Sequence, residues 1–241
     1  MAHTSLEALE VDCDVQPLDI RWAICTHRWY NAVLLRSPDD LLRQQCVETK
    51  SSDTMYQSFV FRSRRAPVLR TLDQQLLQSD STLNSADARA EITRAAGLEW
   101  RRRWHDDRHM RDVDHGAHLF ALKPLPGNTS HQWTVDRRLS SMRCRLRHGH
   151  CDLNEYRRQI GLADSESCPH CDHTETIEHF VLECDQYRAA RDALFASIRP
   201  GLPRTLPVVL ATSELLKPTD RREAVQALDR YILSTNRFAL P

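Results

Sequence analysis

The sequence has little glycine, no net charge and no long apolar run. Only 6 of its 241 residues are Gly, which argues against a flexible linker, and 41% are hydrophobic, enough to build a core. Lys and Arg number 33, and Asp and Glu also number 33. No overall field therefore draws the whole chain to nucleic acid or anionic lipid, and such affinity has to come from local clusters of charge.

Features of secretion and membrane insertion are also missing from the sequence. Acidic residues interrupt the N-terminal region at Glu7, Glu10 and Asp12, where a signal peptide would have an apolar core. No segment approaches the roughly 20 apolar residues that a membrane helix requires. We therefore expect a soluble intracellular protein of the cytoplasm, the nucleus or both, with no membrane partner.

The sequence contains 8 Cys, which need an explanation because disulfides are rare in reducing compartments. Cys13, Cys25 and Cys46 are scattered among apolar residues, and we expect them to be buried thiols. The other five lie between residues 144 and 184. Clustered Cys and His in an intracellular protein are more typical of a metal site than of disulfides.

Apolar residues recur at helical spacing, and alternation of period two is scarce, so we predict a mostly α fold. One pattern is a four-residue repeat that ends in Trp100 and Trp104. Gly149 is placed to end the next helix in a left-handed conformation, and Asp185 is placed to cap a later one. The segment 206–210 is short and apolar, and we expect it to be extended. Predicted helices cover residues 19–34, about 85–109, 135–147, 185–198 and about 219–233.

Composition divides the chain into three parts. Residues 1–84 combine a helical segment with a connector rich in Ser, Thr, Asp and Gln. Residues 85–129 hold a long helix followed by a Pro- and Gly-containing linker. Residues 130–241 are expected to form a helical unit that contains a small zinc knuckle near the C-terminus.

The predicted knuckle has the spacing Cys-x2-Cys-x7-His-x4-Cys. Two Cys separated by two residues can place both sulfurs on one ion, while the turn between them directs backbone N–H groups at the sulfurs. A short helix capped by Thr176 can supply the other two tetrahedral positions. Four protein ligands leave no open position, which is typical of a structural site. The predicted Zn²⁺ ligands are Cys168, Cys171, His179 and Cys184, with His170 and His173 as alternatives.

The local charge changes sign next to the knuckle. Residues 162–188 hold seven acids against one Arg, which opposes direct phosphate contact. Residues 134–158 hold seven Arg against three acids, and the planar fork of Arg binds phosphate oxygens in pairs. This segment is either a solvated helix face or a nucleic-acid contact. The candidate contacts are Arg138, Arg143, Arg145, Arg147 and Arg157.

Several motifs follow one another in the second half of the chain, namely Arg145-Leu146-Arg147-His148-Gly149-His150, Leu153, Tyr156, Cys168-Pro169-His170-Cys171, Glu175-Thr176, His179 and Cys184. This series resembles the C-terminal zinc-binding region of non-LTR retrotransposon reverse transcriptases, jockey-like ones especially. The match is tight over 139–188 and loose elsewhere. Upstream, Pro17-Leu18-Asp19-Ile20-Arg21 resembles the segment that follows the polymerase region, and the paired Trp100 and Trp104 fit the middle of that family's tail.

The resemblance implies a tail that helps to bind element RNA or target DNA during target-primed reverse transcription. Its partners would be that nucleic acid, bound weakly, and the rest of the retrotransposon polyprotein. The knuckle differs from the shorter and basic retroviral type. The parent polyprotein would be an RNA-directed DNA polymerase.

The catalytic residues of such a polyprotein are not evident in this sequence. A polymerase palm needs a Tyr/Phe-x-Asp-Asp turn between apolar strands, because carboxylates hold its two metals. Trp104-His105-Asp106-Asp107 matches that turn superficially, but arginines flank it and it follows a helical pattern. Nor is a spaced carboxylate set for ribonuclease H present. We therefore expect no enzymatic activity.

Two alternatives remain open. The first is a zinc-stabilised protein-interaction module whose basic helix binds an acidic partner. The second is a metal-dependent phosphohydrolase, suggested by the crowded His and Asp residues of 105–118. Such enzymes collect further ligands from distant helices, and those ligands are not visible here.

Overall fold

The computed structural model describes residues 6–48, 85–106, 117–127 and 136–238. This part of the chain is mostly helical and contains no strand beyond one isolated antiparallel bridge between Ser167 and Thr174, which confirms the predicted fold class at that level. Among the described helices, none is long and apolar enough to cross a bilayer. The helices are α1 (Leu6–Asp12), α2 (Leu18–Leu34), α3 (Leu41–Glu48), α4 (Ser85–Asp106), α5 (Ala117–Leu122), α6 (Arg137–His148), α7 (Asn154–Gln159), α8 (Arg188–Ala196), α9 (Leu206–Val209) and α10 (Pro218–Thr235).

Contacts along the chain define two compact units. One spans residues 16–106 and contains α2, α3 and α4. The other joins residues 1–15 to residues 107–241 and contains the remaining helices. The three-part division drawn from composition stays a prediction, because much of its connector and linker lies outside the described residues.

In the unit of residues 16–106, α2 packs against α4. The four-residue repeat of α4 is buried as predicted, from Ala88 to Trp104. Helix α2 buries Ile20, Ala23 and Ile24, whereas Ala32 is exposed. The carboxylate of Asp40 accepts the N–H groups of the second and third residues of α3 at 2.9 and 3.1 Å, so Asp40 caps a helix that apolar spacing had not indicated.

The second unit has one continuous core, to which α6 contributes Leu139, Met142 and Leu146. Helix α6 begins after Asp136, whose carboxylate accepts two backbone N–H groups of the first turn. It ends at Gly149 with φ of 79°, the left-handed conformation predicted for that position. The prediction for α6 is thus confirmed, except for Val135, which lies outside the described residues.

Cys13 and Cys25, which we expected to be buried thiols, are exposed. Two further local predictions, both in the second unit, are wrong. Asp185 does not cap α8, since its carboxylate accepts a hydrogen bond from the Arg188 guanidinium at 2.6 Å and a 3₁₀ turn precedes the helix. Residues 206–209 are helical rather than extended, because Pro207 has the φ that the first turn of a helix requires. Val208 and Val209 of this segment are buried in the core.

Helix α6 directs two of its arginines into the unit. Arg143 is 4% exposed and forms an ion pair with Asp229 of α10. Burial raises the pKa of the Asp229 carboxyl, and the Arg143 guanidinium opposes that shift. The Arg147 guanidinium donates to both carboxylate oxygens of Asp12, at 2.5 and 3.0 Å. These two arginines therefore connect α6 to α10 and to α1.

Removing the Arg143 guanidinium should destabilise the protein strongly, since Asp229 would keep a buried charge without a cation. We expect Arg143→Ala to lower the free energy of unfolding by about 3–5 kcal/mol. The exposed Arg145→Ala is the matched control and should change it by less than about 0.5 kcal/mol. Urea midpoints would measure both, and equal effects would contradict a structural role for Arg143. The apolar pair Arg143→Met with Asp229→Leu should regain most of the loss.

Candidate metal centre

Four Cys and His side chains converge between α7 and α8. Their ligand atoms all lie within 4.8 Å of one another, close enough to bind a metal ion, and the four residues are Cys168, Cys171, His179 and Cys184. The sulfurs of Cys168 and Cys184 are 3.8 Å apart, and the Cys171 sulfur lies 3.2 Å from Nε2 of His179. Ordinary Zn–S and Zn–N bond lengths around a tetrahedral ion give about 3.8 Å and about 3.6 Å for these separations.

The first two ligands lie on a tight loop that its own backbone closes. The Cys168 N–H donates to the His173 carbonyl at 2.7 Å, and the Glu175 N–H donates to the Glu166 carbonyl at 2.8 Å. Burial raises the pKa of the Cys168 thiol to about 11, against the opposing effect of the His170 N–H on its sulfur. The His173 backbone N–H donates a hydrogen bond to the Cys171 sulfur, which lowers the pKa of that thiol. The backbone groups of the loop thus face the sulfurs, as the Cys-x2-Cys spacing indicated.

The other two ligands stand at the two ends of one helical turn. The Thr176 hydroxyl accepts the His179 N–H at 2.9 Å, as expected of the predicted cap. Residues five apart on an α-helix point about 140° away from each other, since each turn takes 3.6 residues. The turn is instead π-helical, with the Cys184 N–H donating to the His179 carbonyl at 2.8 Å. This wider turn brings Cys184 back over His179, so that both side chains face the loop.

The His179 ring is oriented for ligation through Nε2, which faces Cys171. Its other nitrogen, Nδ1, lies 3.5 Å from a carboxylate oxygen of Glu183. Metal-bound His rings commonly have such a carboxylate beside the second nitrogen. The alternative ligands His170 and His173 are exposed. Among the described residues, they belong to no group of side chains close enough together to bind a metal ion. His173 instead stacks on His179 with ring centres 5.4 Å apart.

The carboxylate of Glu175 fixes the loop to two distant segments. Glu175 is 1% exposed and accepts both arms of the Arg237 guanidinium at 2.7 Å. It also accepts the Asn154 N–H at 2.7 Å, at the start of α7. The Asn154 side chain donates in turn to the Ser167 carbonyl at 2.7 Å, next to the first ligand. This role could not be predicted from sequence patterns, because Arg237 is 62 residues away along the chain.

Phe180, inside the π-helical turn, connects the ligands to the core. Its ring meets those of Tyr187, Tyr231 and Phe238 edge-on, with ring centres 5.2–5.3 Å apart. The Tyr231 hydroxyl donates to the Phe180 carbonyl at 2.5 Å. The buried Arg191 guanidinium of α8 donates to the Cys184 carbonyl at 2.9 Å, at the end of the ligand turn. The ligand turn is therefore held by α8 and α10 as well as by any ion.

The five arginines proposed as nucleic-acid contacts do not form one surface. Arg138 and Arg145 are exposed on α6, whereas Arg143 and Arg147 make the internal ion pairs described above. Arg157 on α7 is partly exposed and donates to Asp152 and to a backbone carbonyl. Most of the His- and Asp-rich segment 105–118, on which the phosphohydrolase alternative depends, lies outside the described residues.

Comparison of the chain with protein-family models, with curated proteins and with solved structures finds no match. The geometry of the metal centre and the surface next to it therefore carry the functional inference. The family resemblance of the sequence motifs enters as a proposal.

Replacing one ligand should separate the four predicted ligands from the two alternatives. We expect Cys184→Ser to weaken Co²⁺ binding at this cluster by more than about tenfold. Losing a residue that only hydrogen-bonds to a ligand already has an effect of about that size. His173→Ala is the matched control and should leave affinity and absorption spectrum unchanged. Thiolate-to-Co²⁺ absorption during titration measures both variants. Loss of binding in His173→Ala with retention in Cys184→Ser would show that the ligand set is wrong.

Proposed function

We propose that this chain is a non-catalytic C-terminal part of a non-LTR retrotransposon reverse transcriptase polyprotein, which zinc stabilises and which assists RNA or DNA binding. The observation that carries the proposal is the convergence of three Cys and one His in the same unit as an exposed basic face of α6. The order of the motifs along the sequence supports the family. The metal centre and the basic face support the two parts of the function.

The donor set favours zinc among intracellular metals. Thiolates and imidazole at tetrahedral spacing suit Zn²⁺, whereas Mg²⁺ and Ca²⁺ prefer oxygen ligands. Four converging protein ligands leave no position for substrate, which favours a structural role over a catalytic one. The ligand turn also contributes Phe180 and Val181 to the core, so an ion here would stabilise the whole unit.

The basic surface that we propose for nucleic acid contains fewer arginines than we expected from the sequence. Arg138 and Arg145 lie seven residues apart on α6, hence on one face of the helix, and both are exposed. Arg158 on α7 is exposed too, and Asn154 connects α7 to the metal loop. Zinc would therefore fix the position of α7, while Arg143 and Arg147 hold α6 in place from inside.

Chelation should test the structural role of the metal. We expect one tightly bound zinc at this cluster per chain, with apparent binding free energy of about 10–16 kcal/mol. Because the ligand turn lies in the core, a strong chelator should reduce the helical signal and expose the unit of α6–α10 to protease. Loss of zinc with unchanged helicity and protease resistance would contradict this role.

Salt dependence should test the nucleic-acid part of the proposal. Three exposed arginines contacting phosphates would give a slope of log affinity against log salt of about −2 for single strands. Replacing Arg138 and Arg145 by Gln should reduce the magnitude of that slope by about 1.4 and weaken binding of random-sequence RNA. Arg222→Gln, which removes an exposed arginine from α10, is the matched control.

Zinc content and circular dichroism should be the same in all these variants. Binding that is absent at about 50 mM salt, or that is unchanged in the double variant, would contradict a phosphate-binding face. An acidic protein partner that binds through the same arginines would then favour the interaction-module alternative.

A further inference from the structure

A second group of potential metal ligands lies where α1 meets α6 in the same unit. One ligand atom from each of Asp12, Cys144 and His148 lies within 4.8 Å of the others. Cys144 and His148 are four residues apart on α6 and so share a face, and Asp12 is the last residue of α1. Carboxylate, thiolate and imidazole are the three ligand types that Zn²⁺ accepts in proteins.

The His148 ring points to a missing partner at this place. Its side chain is only 3% exposed. Nε2 lies 3.2 Å from a carboxylate oxygen of Asp12, whereas Nδ1 has no hydrogen-bond partner among the described residues. Buried polar atoms in proteins nearly always have a partner. A metal ion on one ring nitrogen would supply it.

Arg147 sets the affinity of such a site rather than excluding it. A carboxylate offers about four lone-pair positions, and the Arg147 guanidinium takes two of those on Asp12. The remaining positions face His148 and Cys144, whose protons a bound ion would displace. A hydrogen-bonded partner such as Arg147 commonly orients a ligating carboxylate. The same guanidinium neutralises part of the negative charge, so binding should be weaker here than at the cluster of three Cys and one His.

We propose that Asp12, Cys144 and His148 form a second site for a divalent transition-metal ion of the zinc class. The ion joins the end of α1 to the end of α6, two segments more than a hundred residues apart in sequence. Three protein ligands leave one tetrahedral position for solvent. The site is independent of the proposed nucleic-acid function and of the first cluster.

Titration of the reduced full chain with Co²⁺ tests the proposal. We expect two phases, the first with strong thiolate-to-metal absorption from three sulfurs and the second with weaker absorption from one. Cys144→Ser should weaken the second phase by at least about tenfold and leave the first intact. Cys184→Ser should weaken the first phase and leave the second intact. Cys25→Ser removes an exposed thiol from the other unit and should leave both phases unchanged.

A single phase with one Co²⁺ per chain in the unaltered protein would overturn the proposal. So would a second phase that survives in Cys144→Ser with undiminished absorption. Circular dichroism shows whether Cys144→Ser is folded, and His148→Gln provides a second variant with the same expected loss if it is not. Failure of RNA binding leaves these outcomes unaffected, so the two proposals are tested separately.

Discussion

The spacing of five between His179 and Cys184 constrains this unit more than any other feature. An ordinary α-helical turn would point the two side chains in different directions, so the backbone adopts a π-helical turn. That turn carries Phe180 into the centre of an aromatic cluster and presents its carbonyl to Tyr231. Ligand geometry and core packing therefore depend on the same five residues. A change that restores regular α-helical geometry there would disturb both together.

The arginines of α6 have two different physical roles. Arg138 and Arg145 face solvent, whereas Arg143 and Arg147 are paired with carboxylates from α10 and α1. Burying a guanidinium costs several kcal/mol unless a well-placed acid compensates, which explains why each inward arginine has its own carboxylate. The number of charged residues of one sign in a sequence segment is thus an upper limit to the number available at the surface.

Predictions from the sequence are confirmed where the residues that determine a local structure lie close together along the chain. The Cys-x2-Cys loop, the Thr176 cap and the Gly149 terminus all depend on residues within a few positions, and the structure has each of them. The repeat of α4 was visible because one face of that helix is buried along its length. Pairs such as Arg147 with Asp12, 135 residues apart, leave no periodic mark, and therefore could not be predicted.

The carboxylate of Glu175 gains its charged partner late in the synthesis of the chain. Its guanidinium partner, Arg237, leaves the ribosome 62 residues later, several seconds at roughly 5–20 residues per second. During that interval the loop has its backbone bonds and its Cys and His side chains, but not its strongest charged neighbour. An ion captured early would keep the nascent loop from misfolding until Arg237 arrives. Supply of metal during translation, rather than afterwards, would then decide the yield of correctly folded protein.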